Sequence, residues 1–407
     1  MRKLIFFFAL LVPRLLPAQE TPSWRGDFES FWTTIRDNYA YFDKKQTDWD
    51  RVHAIYAPQA DTVRSRSSMI GLLERVFYEL YDHHASLHTN LPGSQMLVPS
   101  GADLWAVFRN GRAIITDVRP GTRAANGGLH AGMIVMRVNG LPVAEAVKPF
   151  MPLALKQKDS AAQDFALRTL LAGNHRTLRD FVLLDGRDTI RYRDKSLPAH
   201  EGEKLLETLV YPGGIGYIRI GNSLGDNDLI PAFDSVLKTM ANTKGLILDL
   251  RAVPSGGNTT VVRAIMGCFI RKEGFYQKHV LPAEEKETGI RRSWVEIVSP
   301  RAPAYNRPLA VLCGHWTGSV GEGLVIGFDA LKQGLIIGTD MAGLRGAVYS
   351  FTLPYSGIGY SFPAEQLYHV DGRPRENFHP SVLIDPGKEK GDAALAFALN
   401  YLQRQRR

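Results

Sequence analysis

The stretch Gly314-His315-Trp316-Thr317-Gly318-Ser319-Val320-Gly321-Glu322-Gly323, GHWTGSVGEG, decides how this chain is read. Ser319 stands among four glycines, with Glu322 three positions on and the apolar run Leu324-Val325-Ile326 behind it. Ser-x-x-Glu before an apolar run is a capping box, in which the serine hydroxyl satisfies an orphan amide of the first helical turn. A serine at a glycine-lined helix start is equally a place for a nucleophile. There the backbone comes close to a substrate, and free amides hold a developing oxyanion. These ten residues admit both stories.

Working outward, short apolar runs IGYIRI (215–220), GLILDL (245–250), LAVLCG (309–314) and GLIIGT (334–339) alternate with helical stretches at about 226–242, 257–271 and 319–333. Alternation of that kind predicts a parallel sheet with crossover helices, whose sites gather beyond the carboxyl ends of the strands. GLILDLRAVPSGGN and LAVLCGHWTGSVGEG are two such ends, both rich in glycine. Residues 22–92 instead carry helical periodicity: Phe28, Phe31, Trp32, Ile35 and Tyr39 form one stripe. Asp48 is placed to cap a second helix, and Ser67 or Ser68 to start a third that runs out into YDHHASLH. Between about 98 and 196 short β-rich pieces with glycine punctuation surround a helical insert at about 144–172.

The ends and the composition set the class. Of 407 residues, 44% are hydrophobic and 22% charged, as in an ordinary globular protein with chain for two or three domains. The net charge of +8 is spread along the chain apart from a terminal QRQRR, so no nucleic-acid site is read from it. MRKLIFFFALLVPRLLPAQ reads as a signal peptide over residues 1–19, although Pro13 and Arg14 interrupt its apolar part. No other run has the length of a membrane span, and export to the periplasm or the extracellular space is expected. The two cysteines, Cys268 and Cys313, read as buried thiols, although the compartment would permit a disulfide.

Ser319 needs a base. Lys332 reads as a surface lysine of the same helix, whereas His83, His84 and His88 cluster just past a helix C-terminus, where the dipole favours an imidazolium. His84 and His88 with Asp82 lack a third ligand, so no metal is expected. Glu376, in DGRPRENFHP, is a further candidate, and Glu322 is a capping partner or a helper of the nucleophile.

Two resemblances follow from these residues. Gly121, Ala124, Gly128-Leu129, Gly132 and Val138-Asn139-Gly140 resemble a PDZ domain, with Arg123 where a proline is usual and Met133 where aspartate is favoured. PDZ-like domains bind extended peptides by strand addition. Further, Asp82-His83-His84, Asp249-Leu250-Arg251 with Gly256-Gly257, Thr317-Gly318-Ser319-Val320-Gly321-Glu322, and Glu376-Asn377 with Pro380 resemble, in order, four elements of the C-terminal processing (tail-specific) and tricorn-core serine peptidases. One branch of that family places a lysine about 25 residues after the serine; here that position is Leu344. The resemblance is therefore to the histidine-based, tricorn-like branch. His83 departs from it, standing where the tricorn type carries a serine, and the RAVPSGG loop looks one residue longer than usual.

That resemblance implies an α/β multidomain chain. It would comprise a helical N-terminal domain (22–92), a PDZ-like domain (98–196) and a crotonase-like ββα-spiral catalytic domain (205–407). Ser319 would attack, His84 would be the base with His83 beside it, and Glu376 would orient and support the machinery by charge. The amides of Val320 and of Gly256 or Gly257 would form the oxyanion hole, leaving Thr317 to cap the helix. The substrates implied are polypeptides, and no cofactor is required. An α/β-hydrolase elbow is not matched, because Thr317 replaces its first glycine. The competing reading is a non-catalytic protein of the same fold that binds a peptide or an apolar ligand, as the family's retinoid-binding relative implies. Another acyl hydrolase is the third.

Overall fold

A computed structural model describes residues 23–197, 204–388 and 391–405; the signal segment read at 1–19 lies outside them. The chain begins with α1 (Trp24–Asn38), α2 (Trp49–Ala60) and α3 (Arg66–Tyr78). The apolar stripe of α1 is buried at Phe28, Phe31 and Ile35, and Asp48 caps α2 by accepting from the Arg51 amide. α3 starts earlier than Ser67 or Ser68 would have it. Ser65 is the N-cap, and Ser68 answers it as the N3 partner of a capping box. Beyond α3 the chain turns through Tyr81 (φ +34°) and reaches β1 (Ser86–Leu87).

The middle of the chain supplies β2 (Leu104–Arg109), β3 (Arg112–Val118), α4 (Arg123–Asn126), β4 (Ile134–Val138), β5 (Leu141–Pro142), α5 (Val143–Ala146), α6 (Ser160–Ala172), β6 (Asp180–Asp185) and β7 (Asp188–Arg193). β2 and β3 are joined by Asn110-Gly111, both at positive φ, as a two-residue hairpin requires. The antiparallel sheet runs β2-β3-β4-β6-β7, with β5 on β4 and α6 packed on β2. Glu79, buried at the end of α3, accepts from the Leu153 and Ala154 amides and from Tyr56, which ties the first helices to the segment that leads into α6.

The remainder forms β8 (Leu206–Tyr211), β9 (Ile215–Ile220), α7 (Leu229–Thr239), β10 (Gly245–Asp249), α8 (Thr259–Gly267), β11 (Gly274–Leu281), α9 (Pro282–Thr288), β12 (Arg292–Val298), β13 (Leu309–Cys313), α10 (Val320–Ala330), β14 (Leu335–Gly338), β15 (Ala347–Thr352), β16 (Gly359–His369), β17 (Val382–Leu383) and α11 (Ala393–Arg404). One sheet runs β17-β14-β13-β10-β9-β8, parallel from β17 to β9. β10 and β13 are buried along their whole length, which is why they read as unbroken apolar runs.

A second, antiparallel sheet was not foreseen. It runs β1-β16-β11-β12, with β15 on β16. β1 lies between His84 and His88, so this pairing stitches the end of the helical segment to the later part of the chain. Asp27 of α1 adds to the join by accepting from the amides of Tyr355 and Ser356. α10 packs against both β14 of the first sheet and β11 of the second. Its N-terminus, with Ser319 as N-cap, is where the parts of the fold converge. Both cysteines are buried free thiols. Among the described residues no helix is long and apolar enough to cross a membrane.

Candidate active site

Ser319 leaves β13 and enters α10 with φ +53° and ψ −115°. An N-cap serine normally has extended backbone. This conformation suits glycine, and a non-glycine residue holds it only where the surroundings force it, at about 1–3 kcal/mol. The surroundings here are explicit. Thr317, fully buried, donates to the Leu250 carbonyl and accepts from the Gly314 amide, so it pins the loop rather than capping the helix as expected. The Gly318 amide donates to the Val253 carbonyl. A Cβ at Gly318 would come within 2.6 Å of the Pro254 carbonyl oxygen, and one at Gly321 within 2.7 Å of Val253 Cγ2. Glycine lets these two loops touch.

The Ser319 amide donates to Glu322 Oε2 at 2.8 Å, the glutamate half of the capping box. The Glu322 amide faces the serine hydroxyl as a box requires, but without the geometry of a cap hydrogen bond. The hydroxyl lies instead 3.0 Å from His84 Nε2. His84 Nδ1 is 2.6 Å from the Arg345 carbonyl oxygen. A carbonyl only accepts, so the proton of the neutral ring is on Nδ1, and Nε2 has a free lone pair toward the serine O–H. The Ser319 hydroxyl therefore donates to the atom that would take its proton.

The loop before His84 explains why an aspartate precedes it by two. Asp82 Oδ1 accepts from the His84 amide (3.0 Å), and its Oδ2 accepts from the Tyr39 hydroxyl (2.6 Å). Burial alone would raise the Asp82 pKa, but the charges of Lys45 and Arg345 with these hydrogen bonds hold it below the usual value. Lys45 donates to the Tyr81 carbonyl and lies over the Tyr81 ring. For His84, burial dominates and the Arg345 carbonyl opposes it; the pKa falls to about 4. The helix-dipole expectation of a stabilised imidazolium loses to desolvation, and the ring is neutral at pH 7.

Other expected residues are placed differently. His83 turns away from Ser319 and stacks on Phe165 of α6, with ring centroids 4.4 Å apart. Burial lowers its pKa to about 3 and leaves its Nε2 without a partner, so it is not part of the Ser319–His84 pair. Glu376 does not orient His84, since the Arg345 carbonyl occupies Nδ1. It lines a cavity of about 130 Å³ with Glu322, Arg375 and Gly343. Its Oε2 is buried without a hydrogen bond, and burial raises its pKa. Glu322, fully buried, accepts from the Gly343 amide as well as from Ser319. Burial pushes its pKa up to about 7 against the pull of Arg375 and the two amides. It thus links the nucleophile loop to the segment that carries Arg345.

Among the described residues, the amides of Val320, Gly256 and Gly257 donate no hydrogen bond within the protein. Gly256 faces open space, and its loop runs against the nucleophile loop through the Val253–Thr317 bridge. Arg251 is held by Asp249 and Asp392, and Tyr217 donates to Asp249, so the Asp-x-Arg element braces that loop. Sequence reasoning missed the Arg345 carbonyl, Tyr39 and Lys45. The first is a backbone atom with no side-chain signature, Tyr39 read only as part of the apolar stripe of the first helix, and Lys45 lies in no motif.

A hydroxyl donating to a correctly protonated imidazole at a glycine-lined helix start is the equipment of a serine-type peptidase, and that is the class of this enzyme. The sequence profile of the tricorn protease C1 domain matches residues 21–77, and that of peptidase family S41 matches residues 214–383. These two matches support an S41-type peptidase. Among solved structures, the photosystem II D1 C-terminal processing protease is similar at a TM-score of 0.56 and 18% identity, over 90% of this chain and 94% of its own. Mature CPAF in complex with lactacystin is similar at 0.58 and 15%, over 94% and 97%. At such identities the likeness is one of fold. No curated protein matches the sequence.

Proposed function

We propose that this enzyme is an exported serine peptidase that cleaves polypeptides by acyl transfer, with Ser319 as nucleophile and His84 as base. The supporting observation is the Ser319 hydroxyl 3.0 Å from His84 Nε2, with Nδ1 fixed on the Arg345 carbonyl. In this reading Ser319 Oγ attacks the scissile carbonyl carbon as His84 Nε2 takes its proton, worth on the order of 10²–10⁴-fold. The carbonyl oxygen becomes an oxyanion held by the Val320 amide and that of Gly256 or Gly257, each donor worth about 10²–10³-fold. His84 then returns the proton to the departing amine, the C–N bond breaks, and water repeats the sequence on the acyl-enzyme.

The imidazolium formed on the way is disfavoured by burial and by Arg375. The Glu376 carboxylate, beside Arg345 and Arg375, offsets those cations, which is the supporting role we assign to it. Export rests on the signal-like start of the chain, and the choice of polypeptides as substrates follows the named processing protease that shares the fold. The PDZ-like and crotonase-like assignments of residues 98–196 and 205–407 belong to the same reading. The PDZ-like resemblance implies that the middle segment recruits or gates substrate; we assign it instead a part in holding the site.

The test is a fluorophosphonate probe with the purified full-length protein, read beside hydrolysis of an unfolded polypeptide. Labelling and hydrolysis should both disappear in Ser319→Ala and in no other serine variant. A wild-type protein that binds peptides yet neither labels nor cleaves would establish the non-catalytic reading instead.

A further inference from the structure

The middle sheet ends at β2, and among the described residues no strand pairs with its outer edge. The two-residue turn makes Arg109 and Arg112 the closing pair of the hairpin. Alternation then points the backbone groups of Ala106 and Phe108 outward, where an added peptide strand would bond. Both groups are already taken. The Phe108 amide donates to Asp164 Oδ1 at 2.7 Å, and Arg168 Nε donates to the Ala106 carbonyl at 3.1 Å. Asp164 and Arg168 lie one turn apart on α6 and are paired at 4.0 Å.

The same arginine begins a chain of contacts. Its guanidinium lies 4.3 Å over the Trp105 ring. Trp105 stacks on His315 (4.8 Å, 20°), and His315 Nδ1 is 2.9 Å from Asp117 Oδ2. Trp316 donates its Nε1–H to the Ala102 carbonyl and packs with Met96, Trp105 and Leu344. His315 and Trp316 are the residues through which the nucleophile loop leaves β13 toward Ser319. One turn before Arg168, Phe165 stacks on His83, the neighbour of the base. α6 therefore touches the supports of both halves of the pair. Burial lowers the Arg168 pKa to about 10, so it is still a cation at neutral pH.

We propose that α6 closes the open edge of β2 with Asp164 and Arg168 in place of a bound peptide, and that Arg168, acting through Trp105 and His315, is a positioning residue for Ser319. The proposal rests on Ser319 being the nucleophile. It replaces the expectation that this segment gathers substrate by strand addition.

The experiment uses the full-length enzyme, Arg168→Leu and Arg168→Lys. It measures fluorophosphonate labelling (rate and endpoint), kcat and KM for a small p-nitrophenyl ester, and the same constants for an unfolded polypeptide. The labelling endpoint counts folded sites; the rate reads how well the nucleophile is held. Arg168→Leu should keep the endpoint, lower the labelling rate and both kcat values by about tenfold, and leave the ester KM unchanged. Arg168→Lys, which keeps the charge without the planar stack, should fall between. An unchanged ester kcat with a polypeptide KM shifted severalfold would overturn the proposal, because the edge would then be a substrate site. Should Arg168→Leu lose its endpoint, Asp117→Ala at the far end of the stack carries the test. A severalfold loss of ester kcat supports the proposal, and none refutes it. Labelling that survives in Ser319→Ala would sink the nucleophile assignment itself, a result separate from all of these.

Discussion

Replacing Ser319 by glycine, alanine and aspartate separates a strained nucleophile from a helix cap. At φ +53° and ψ −115° a side chain is strained by about 1–3 kcal/mol, and glycine releases that strain. Against this, glycine adds about 0.5–1 kcal/mol of chain entropy to be lost on folding, and every variant loses a hydroxyl hydrogen bond worth about 0.5–1.5 kcal/mol. Glycine should thus fall within about 1 kcal/mol of wild type. Alanine keeps the strain and should be destabilised by about 1 kcal/mol. Aspartate keeps the strain and adds a second carboxylate beside the buried Glu322, so it should be the least stable, by at least another ~1 kcal/mol. The order Gly > Ala > Asp is the reverse of what a cap demands at its extremes, since aspartate is among the best N-caps. The assay is urea unfolding of the four proteins side by side, with polypeptide hydrolysis on the same preparations. All three variants should lose about 10⁴-fold or more in kcat. An aspartate variant as stable as the glycine one would refute the strained-nucleophile argument, and residual activity that tracked stability would refute the catalytic one.

The ionisations give two further expectations. Activity needs neutral His84, so kcat/KM should rise through about pH 4 and not through the ordinary histidine range, while Glu322, ionised only above about 7, should add a second rise near neutrality. In Glu322→Gln the neutral limb should vanish and kcat should drop by about tenfold or more, as the Ser319 and Gly343 amides lose a charged acceptor; a neutral limb persisting in that variant would mean that the working histidine is not desolvated. Tyr39→Phe removes one of the hydrogen bonds that fix Asp82, and should lower kcat severalfold with an unchanged KM; a shift in KM alone would place Tyr39 at the substrate instead.

What could be read in advance was whatever leaves a side-chain pattern. Strands β9, β10, β13 and β14 of the parallel sheet are largely buried and announced themselves as apolar runs. Ser319 stood out among its glycines, whereas His84 was singled out from its histidine cluster only by the family resemblance. The second sheet did not show. Its strands β11 and β12 mix buried and exposed residues with a bulge, β16 is buried but breaks its apolar residues with Pro363, Glu365 and Gln366, and β1 has only two residues. Nor could sequence show that a carbonyl, belonging to Arg345, holds the base while Glu376 faces a neighbouring cavity, since backbone atoms are the same at every position. The pKa of His84 was misjudged for a related reason: the dipole is a local property, whereas burial depends on what later folds over the loop.

Ser319 and His84 lie 235 residues apart in the chain. A ribosome makes His84 early and Ser319 late, and the Arg345 carbonyl that sets the proton of the imidazole is made later still. Until that last segment is joined to the loop after α3, the serine has no partner and the histidine no fixed tautomer. A complete but still unfolded chain therefore carries Ser319, His84 and Arg345 and none of the geometry that joins them. On the mechanism proposed above, an unfolded chain would be inert for a purely geometric reason.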